Sequence, residues 1–534
     1  DANMGEAFIS YGDEGDYVDL VAELAVGRAP VSTTLQVETF VNKIISYEQT
    51  NIGPHNGNAL FMSEVLFPSD YQQGGDLYED GAIFSEEIIE NAMSLSSIEA
   101  FRYYEAYNLW NGAFPETHSA VVNQMSSTDY GLVVHVGHGF FYNMSVGDRS
   151  LDLGDISSLY NNPNYFVLSS LNCASAAIDY NSILERFIIN DNGGAVLAIG
   201  SSRAAFPGIA SGYQLDFFSA LYQSEIARVG DAIVESRSNY DHLVSMNTIE
   251  RWTHMTYTLI GDPTLMFYPS EPGSLEIALT ENMIQGLQSV EVTVTSSTVP
   301  VENVIITLSH EGGGYSSAIT NVEGIAALDY IATSVDSIKC VAVAKGYRPN
   351  ISSLEVVSSG EPYIAIQNYR IIDNGTFGSI GNGDSMAGSG ETVAIQFELV
   401  NSGTAWSDVS LVELVCTSAA CSVLTNVAEV GELNPGEVDS SVIFLVQLSA
   451  ELGNASTLEF ELKDGNPGFE ILDLLSLEIV APVIAPSILT WADYPSGNGN
   501  GIIEEGEEIE LYVNLFNSGW SSAGALTGTV EAIG

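Results

Sequence analysis

The sequence predicts a multidomain chain: an α/β domain on a parallel sheet in front, followed by all-β sandwiches. Three observations predict this. Short apolar runs bounded by Gly or small polar residues recur in the front half and read as buried strands. Segments of helical period lie between them. After Pro269 the helical period gives way to short alternating strands with Gly, Ser and Asn turns.

Taken in order, Ser32 to Glu48 reads as an amphipathic helix. Leu35, Phe40, Val41, Ile44 and Ile45 lie on or near one face, and Thr33 with Gln36 forms a capping box. Gly131 to Gly139 is a strand followed by a Gly-flanked His138. Tyr165 to Ala174 is a second strand that runs into Cys173. The stretch between, Asp148 to Asn164, has room only for a short crossover. Ser182 to Asn190 is a helix and Ala195 to Ile199 the next strand, closing a βαβ unit. Phe8 to Asp19 reads as the tail of a longer amino-terminal subdomain.

If the His and Cys strands are parallel neighbours, both side chains emerge at the carboxyl edge of the sheet, where open α/β sheets bind ligands. A thiol and an imidazole brought together there make a nucleophile and its base. Singly, each residue has a plainer explanation, since a Cys after a strand is usually a small buried hydrophobe. The pairing is what carries the reading. Gly137 and Gly139 let the backbone approach a substrate closely, and the amide after His138 is a candidate oxyanion donor. His135, inside the strand, reads as packing.

The segments Val136-Gly137-His138-Gly139, Asn172-Cys173-Ala174-Ser175-Ala176-Ala177 and Tyr257 to Phe267, with Leu24 to Pro30 upstream, resemble the gingipain family of cysteine peptidases. The resemblance covers the first half of the chain and implies a caspase-like fold. It implies Cys173 as nucleophile, His138 as general base and Glu64 as the acid that orients the His. It further implies oxyanion donors at Gly139 and Cys173, and Phe206 as an aromatic lid over the primary specificity pocket. Arg-specific members carry an Asp that falls near Ala82 here; Asp80 is the nearest substitute. The function implied is a secreted cysteine endopeptidase acting on protein or peptide substrates, with cleavage after basic residues. The alternative is a cell-surface adhesion or scaffold protein with an inactive peptidase domain.

Composition bounds the rest. Fourteen Lys and Arg stand against 69 Asp and Glu, for a net charge of −55. Nucleic acid is excluded as a partner, because phosphate binding needs a basic patch. The 46% hydrophobic content argues against disorder, and no apolar run is long enough for a membrane span. Cys416 and Cys421 can close a hairpin by a disulfide, which suits an extracellular setting. Cys340 reads as core.

The expected domains are a peptidase domain over 1–268 with an incomplete amino-terminal part, and a regulatory-like sandwich over 269–358. An Ig-like adhesion-type module over 359–483 and a truncated second copy over 484–534 follow. The repeat pairs Gly381-Asn382-Gly383-Asp384, Gly390-Glu391 and Asn401-Ser402-Gly403 with Gly497-Asn498-Gly499-Asn500, Gly506-Glu507 and Asn517-Ser518-Gly519. Such modules imply cell-surface or matrix contacts. Their Asn and Asp oxygens can ligate a structural Ca2+ ion, although plain turn formation explains the same residues. No cofactor is required by the chemistry, and no catalytic metal is expected.

Overall fold

A computed structural model of the chain describes residues 21–523 except 51–52, 225, 245–247, 280–281, 311–313, 359, 466–470, 494–495, 504 and 507. Phe8 to Asp19 therefore lies outside the described residues, as do Glu504 and Glu507. The chain divides into two compact units. One holds the described residues up to Glu276 with Thr295–Val299 and Ala342–Asn350; the other holds the remainder.

The first unit is built on a seven-stranded sheet. Its strands are β1 (Asn58–Ser63), β2 (Glu99–Tyr104), β3 (Phe114–Pro115), β4 (Leu132–Val136), β5 (Phe166–Leu171), β6 (Ala195–Ser201) and β7 (Tyr257–Ile260). They lie in the order β7-β6-β5-β4-β1-β2-β3, all parallel except β7, which runs antiparallel to β6. Both faces are covered, so the central strands are continuously apolar rather than alternating. Phe61, Val134 and Val167 enter one core and Leu60, Val133 and Leu168 the other. The α/β reading of the front half, with a parallel sheet, is what the fold shows.

The helices that matter here are α1 (Thr34–Ile45), α2 (Gly81–Glu87), α3 (Ile183–Ile189) and α4 (Pro207–Gln223). Thr33 caps α1 by accepting the Gln36 N–H, but the Gln36 side chain reaches back to the Ser32 N–H instead of closing the expected box on Thr33. The expected apolar face of α1 is also only partly right. Leu35, Val41 and Ile45 are exposed, while Lys43 is buried. Its Nζ donates to the carbonyls of Phe187, Gly193 and Ala195 at 2.9, 2.7 and 3.2 Å, and lies over the Tyr165 ring. Burial lowers the Lys43 pKa to about 7. The ammonium thus satisfies carbonyls that would otherwise sit orphaned where α3 ends and β6 begins. Ser182 and Glu185 form the capping box that starts α3.

The rest of the chain is mostly strands, consistent with sandwich modules. Gly286–Ser296 buries Val290, Val292 and Val294 on one side only, the period-2 signature of a half-buried strand. Cys340 is buried within Ile338–Val343. Two five-stranded sheets between Ile364 and Val480 share one core of Ile395, Phe397, Phe444 and Phe460, among others. Cys416 and Cys421 are disulfide-bonded. Their strands, Ser410–Cys416 and Cys421–Thr425, pair into different sheets, so the bridge closes a corner between sheets rather than a hairpin.

The repeated turns have a specific internal support. Buried Asp373 accepts the N–H groups of Gly383, Asp384 and Ser385, and Glu391 accepts those of Asn382 and Gly388. In the second copy Asp493 accepts the Gly501 N–H. Among the described residues no group of three or more His, Cys, Asp or Glu is placed to hold a metal. No helix among them is long and apolar enough to cross a membrane.

Candidate active site

The site follows from register. Val136 of β4 pairs with Leu171 of β5, so His138 and Cys173, each two residues further on, leave the sheet at the same level. The Gly137 N–H to Leu171 carbonyl bond of 3.1 Å carries the pairing past the end of β4. On the other side Ser63 of β1 pairs with Val136, so Glu64 is the next residue along the same edge. Glu105 and Glu116 are the first residues past β2 and β3. The carboxyl edge therefore carries Cys173, His138, Glu64, Glu105 and Glu116 on five consecutive strands.

Around Cys173 the backbone turns sharply. Ala174 has φ 54°, a left-handed conformation that costs energy for a non-glycine residue and clusters at functional sites. The Ala174 N–H is anchored on the Arg203 carbonyl at 2.7 Å. The Cys173 N–H has no protein acceptor among the described residues. Its Sγ lies 3.4 Å from the Ala205 N. Phe206, the next residue, is part-exposed at the start of α4, and Trp252 Nε1 holds the Ala204 carbonyl at 2.7 Å. The loop after β6 thus stands against Cys173 through Ala205, the residue before Phe206.

His138 is held at three points. Its backbone N–H donates to Glu64 Oε2 at 2.8 Å. Its Nε2 lies 2.9 Å from the Leu66 carbonyl, and the Phe67 ring meets the imidazole edge-on. A carbonyl only accepts, so Nε2 carries the proton and Nδ1 is left as the basic nitrogen of the neutral ring. Among the described residues the ring makes no hydrogen bond to the Cys173 thiol; such contacts commonly tighten only with substrate in place. The Glu64 carboxylate therefore fixes the His138 backbone, and the Leu66 carbonyl fixes the ring. Sequence reasoning missed Leu66, because a backbone acceptor leaves no residue signature.

Gly139 starts a two-strand hairpin with Asn143–Val146. The Ser145 N–H to His138 carbonyl bond makes 138/145 a hydrogen-bonded pair, so Gly139 opposite Met144 occupies the alternate, unbonded position. Its N–H is thereby left out of the ladder. A Cβ at Gly139 would collide with the buried Asn172 amide, which explains the glycine. His135 is wholly buried between Ser170 Oγ and the Ser145 carbonyl, at 2.9 and 2.8 Å, and burial pushes its pKa down to about 4.

Asp80 sits on the β1 side. It is buried at the start of α2, accepting the Ala82 N–H at 3.0 Å and the Trp110 Nε1–H at 2.9 Å. The adjoining Gly81 packs on Val136, and Ala82 is buried in the first turn. Below the edge, Leu66, Val136, Leu171 and Ala210 form an apolar cluster.

Glu64, Asp80, Glu105 and Glu116 make a group with no ion-pair partner among the described residues. Burial raises the pKa of each: Glu105 is pushed up to about 7, and Glu116 well above the carboxylate range. Glu116 is 3% exposed, and the Gly147 N–H faces it without closing a full hydrogen bond. Glu105 accepts the Val65 N–H at 2.8 Å. Sequence reasoning also missed Glu105 and Glu116, since their strands were not recognised.

A thiol and an imidazole at the carboxyl ends of adjacent parallel strands of an α/β sheet are the parts that a cysteine-dependent hydrolase needs. Residues 6–268 match the model of peptidase family C25, the gingipain family of cysteine peptidases. The chain is similar to the crystal structure of the Arg-specific cysteine proteinase gingipain R (RgpB). The TM-score is 0.52 at 17% identity, over 65% of this chain and 80% of that one. It is equally similar to the complex of the Porphyromonas gingivalis RgpB pro- and mature domains, over 65% of this chain and 82% of that one. At that identity the likeness shows the fold alone. No curated protein matches the chain.

Proposed function

We propose that the chain is a cysteine endopeptidase in which Cys173 attacks and His138 moves the proton. The observation that supports this best is the Val136–Leu171 register, which brings two reactive side chains to one level. His138 Nδ1 takes the thiol proton; the thiolate attacks the peptide carbonyl, and the oxyanion is received by the N–H groups of Gly139 and Cys173. Collapse expels the amine, which takes the proton back from His138, and water hydrolyses the thioester by the same route. Glu64 serves as a positioning residue through the His138 backbone. No step uses a cofactor.

Cleavage after a basic residue is the finer reading. It rests on Asp80, a buried carboxylate with no ion-pair partner among the described residues, whose neighbour Gly81 packs on Val136. Phe206 would cover the aliphatic stem. Against it, both Asp80 oxygens already accept hydrogen bonds. A peptide library cleaved by the wild type and by Asp80→Ala decides this: dominant cleavage after apolar residues, or an unchanged preference in the variant, removes Asp80 from the pocket.

Secretion is proposed from the Cys416–Cys421 disulfide, which persists in oxidising compartments. Cell-surface or matrix contacts through the sandwiches rest on the repeat alone. A structural Ca2+ ion at the repeated turns would compete with the N–H groups that Asp373 and Glu391 now accept. A melting temperature unchanged between millimolar calcium and chelator would remove that proposal.

A further inference from the structure

On the peptidase reading, the geometry points to a leaving-group subsite: an aromatic shelf beside His138 that receives a large apolar side chain just past the cut bond. The shelf is built from both catalytic loops. Phe140, Phe141 and Tyr142 directly follow His138–Gly139, and Ile178 and Tyr180 lie on the loop that follows Cys173. Phe141 stacks on Tyr180 with ring centroids 4.3 Å apart and planes 14° apart. The rings of Phe140 and Tyr142 meet at 5.5 Å, near perpendicular. The Ile183 N–H to Phe141 carbonyl bond of 2.7 Å ties the His138 loop to the start of α3.

Packing alone does not account for the arrangement. Phe140, Tyr142, Ile178 and Tyr180 are each about half exposed, and they stand together in a chain whose surface is overwhelmingly acidic. Contiguous exposed apolar residues of this kind mark a contact surface. Asp179, between Ile178 and Tyr180, is paired with Arg203 at 3.0 Å.

The side of the substrate follows from the chemistry. The acyl half is fixed at Cys173 by the oxyanion donors and the Ala205 loop. His138 must reach the leaving nitrogen to protonate it. The half of the substrate beyond that nitrogen therefore passes over the His138 loop, and Phe140 is the first side chain past the Gly139 donor. The occupant is the peptide segment carboxy-terminal to the cut, with an aromatic or large aliphatic residue among its first two positions.

The test uses the full chain and three fluorogenic substrates sharing one acyl half, which is taken from a peptide that the protein cleaves. One has a small aromatic amine as leaving group, and two have leaving peptides that begin Phe-Leu or Ser-Gly. The expected result is a kcat/KM for the Phe-Leu peptide at least about ten-fold above that for Ser-Gly, carried in KM. This ratio should fall below about three in Phe140→Ala and Tyr142→Ala and be kept in Phe140→Leu. A wild-type ratio near one, with the small amide still cleaved, overturns the shelf alone. So does an equal loss on both peptides in the Ala variants, which is the mark of a merely structural stack. Failure of the wild type to cleave any peptide of a library, so that no acyl half can be chosen, overturns the peptidase reading and the shelf with it.

Discussion

In the proposed mechanism the Cys173 thiol and His138 ring do separate jobs, and neighbouring groups keep them in place. The Leu66 carbonyl fixes which imidazole nitrogen is basic, and Glu64 holds the His138 amide. Cys173→Ala is expected to abolish peptide hydrolysis with the fold kept, as read by circular dichroism. His138→Ala should lower kcat by about 10²–10⁴-fold. Glu64→Gln should be milder, because a Gln oxygen can still accept the His138 N–H. Gly139→Ala forces a Cβ against Asn172 and would shift the proposed oxyanion donor, so kcat should fall by about 10²-fold. A Gly139→Ala enzyme with wild-type kcat would place the oxyanion elsewhere. At this scale the sequence pointed to His138 and Cys173, since each lies just past an apolar run, and to Glu64 through the family resemblance alone. It was silent on the Leu66 carbonyl and on the φ of Ala174, which are properties of the backbone.

The strands β4 and β5 were readable because buried parallel strands are continuous apolar runs, and α3 because Ser182 and Glu185 mark its start. Helix α1 was harder. Its period is real, but the residue it buries most deeply on α3 and β6 is a lysine, which no apolar pattern can announce. Lys43→Met should cost about 1–3 kcal/mol, the usual cost of stranding buried acceptors, read as a lower urea midpoint at unchanged m-value. A midpoint unchanged within error would mean that water serves those carbonyls. Strand β2 carries Glu99 and Arg102 in place of a continuous apolar run and β3 has only two residues, so Glu105 and Glu116 were lost to sequence reasoning.

Across the whole molecule, acidity has its sharpest effect at the sheet edge. Glu64, Asp80, Glu105 and Glu116 have pKa values raised by burial, so the folded state keeps protons that the unfolded chain releases. Their contribution to stability is full below the ordinary carboxylate range and is lost as pH rises through the folded values, which for Glu105 means about 7. The melting temperature should therefore fall between about pH 5 and pH 8. Glu105→Gln and Glu116→Gln should flatten that fall. An equally steep fall in both variants would assign it to general charge repulsion instead.

The central claim is that Cys173 is a nucleophile served by His138. Its most direct test is covalent labelling of the full chain with a thiol-directed peptidyl ketone, read by mass spectrometry. The expected result is one label per chain on Cys173, with a rate at least about 10²-fold lower in His138→Ala, and none on buried Cys340. Labelling that leaves Cys173 untouched, or that proceeds as fast without the imidazole, would contradict the account.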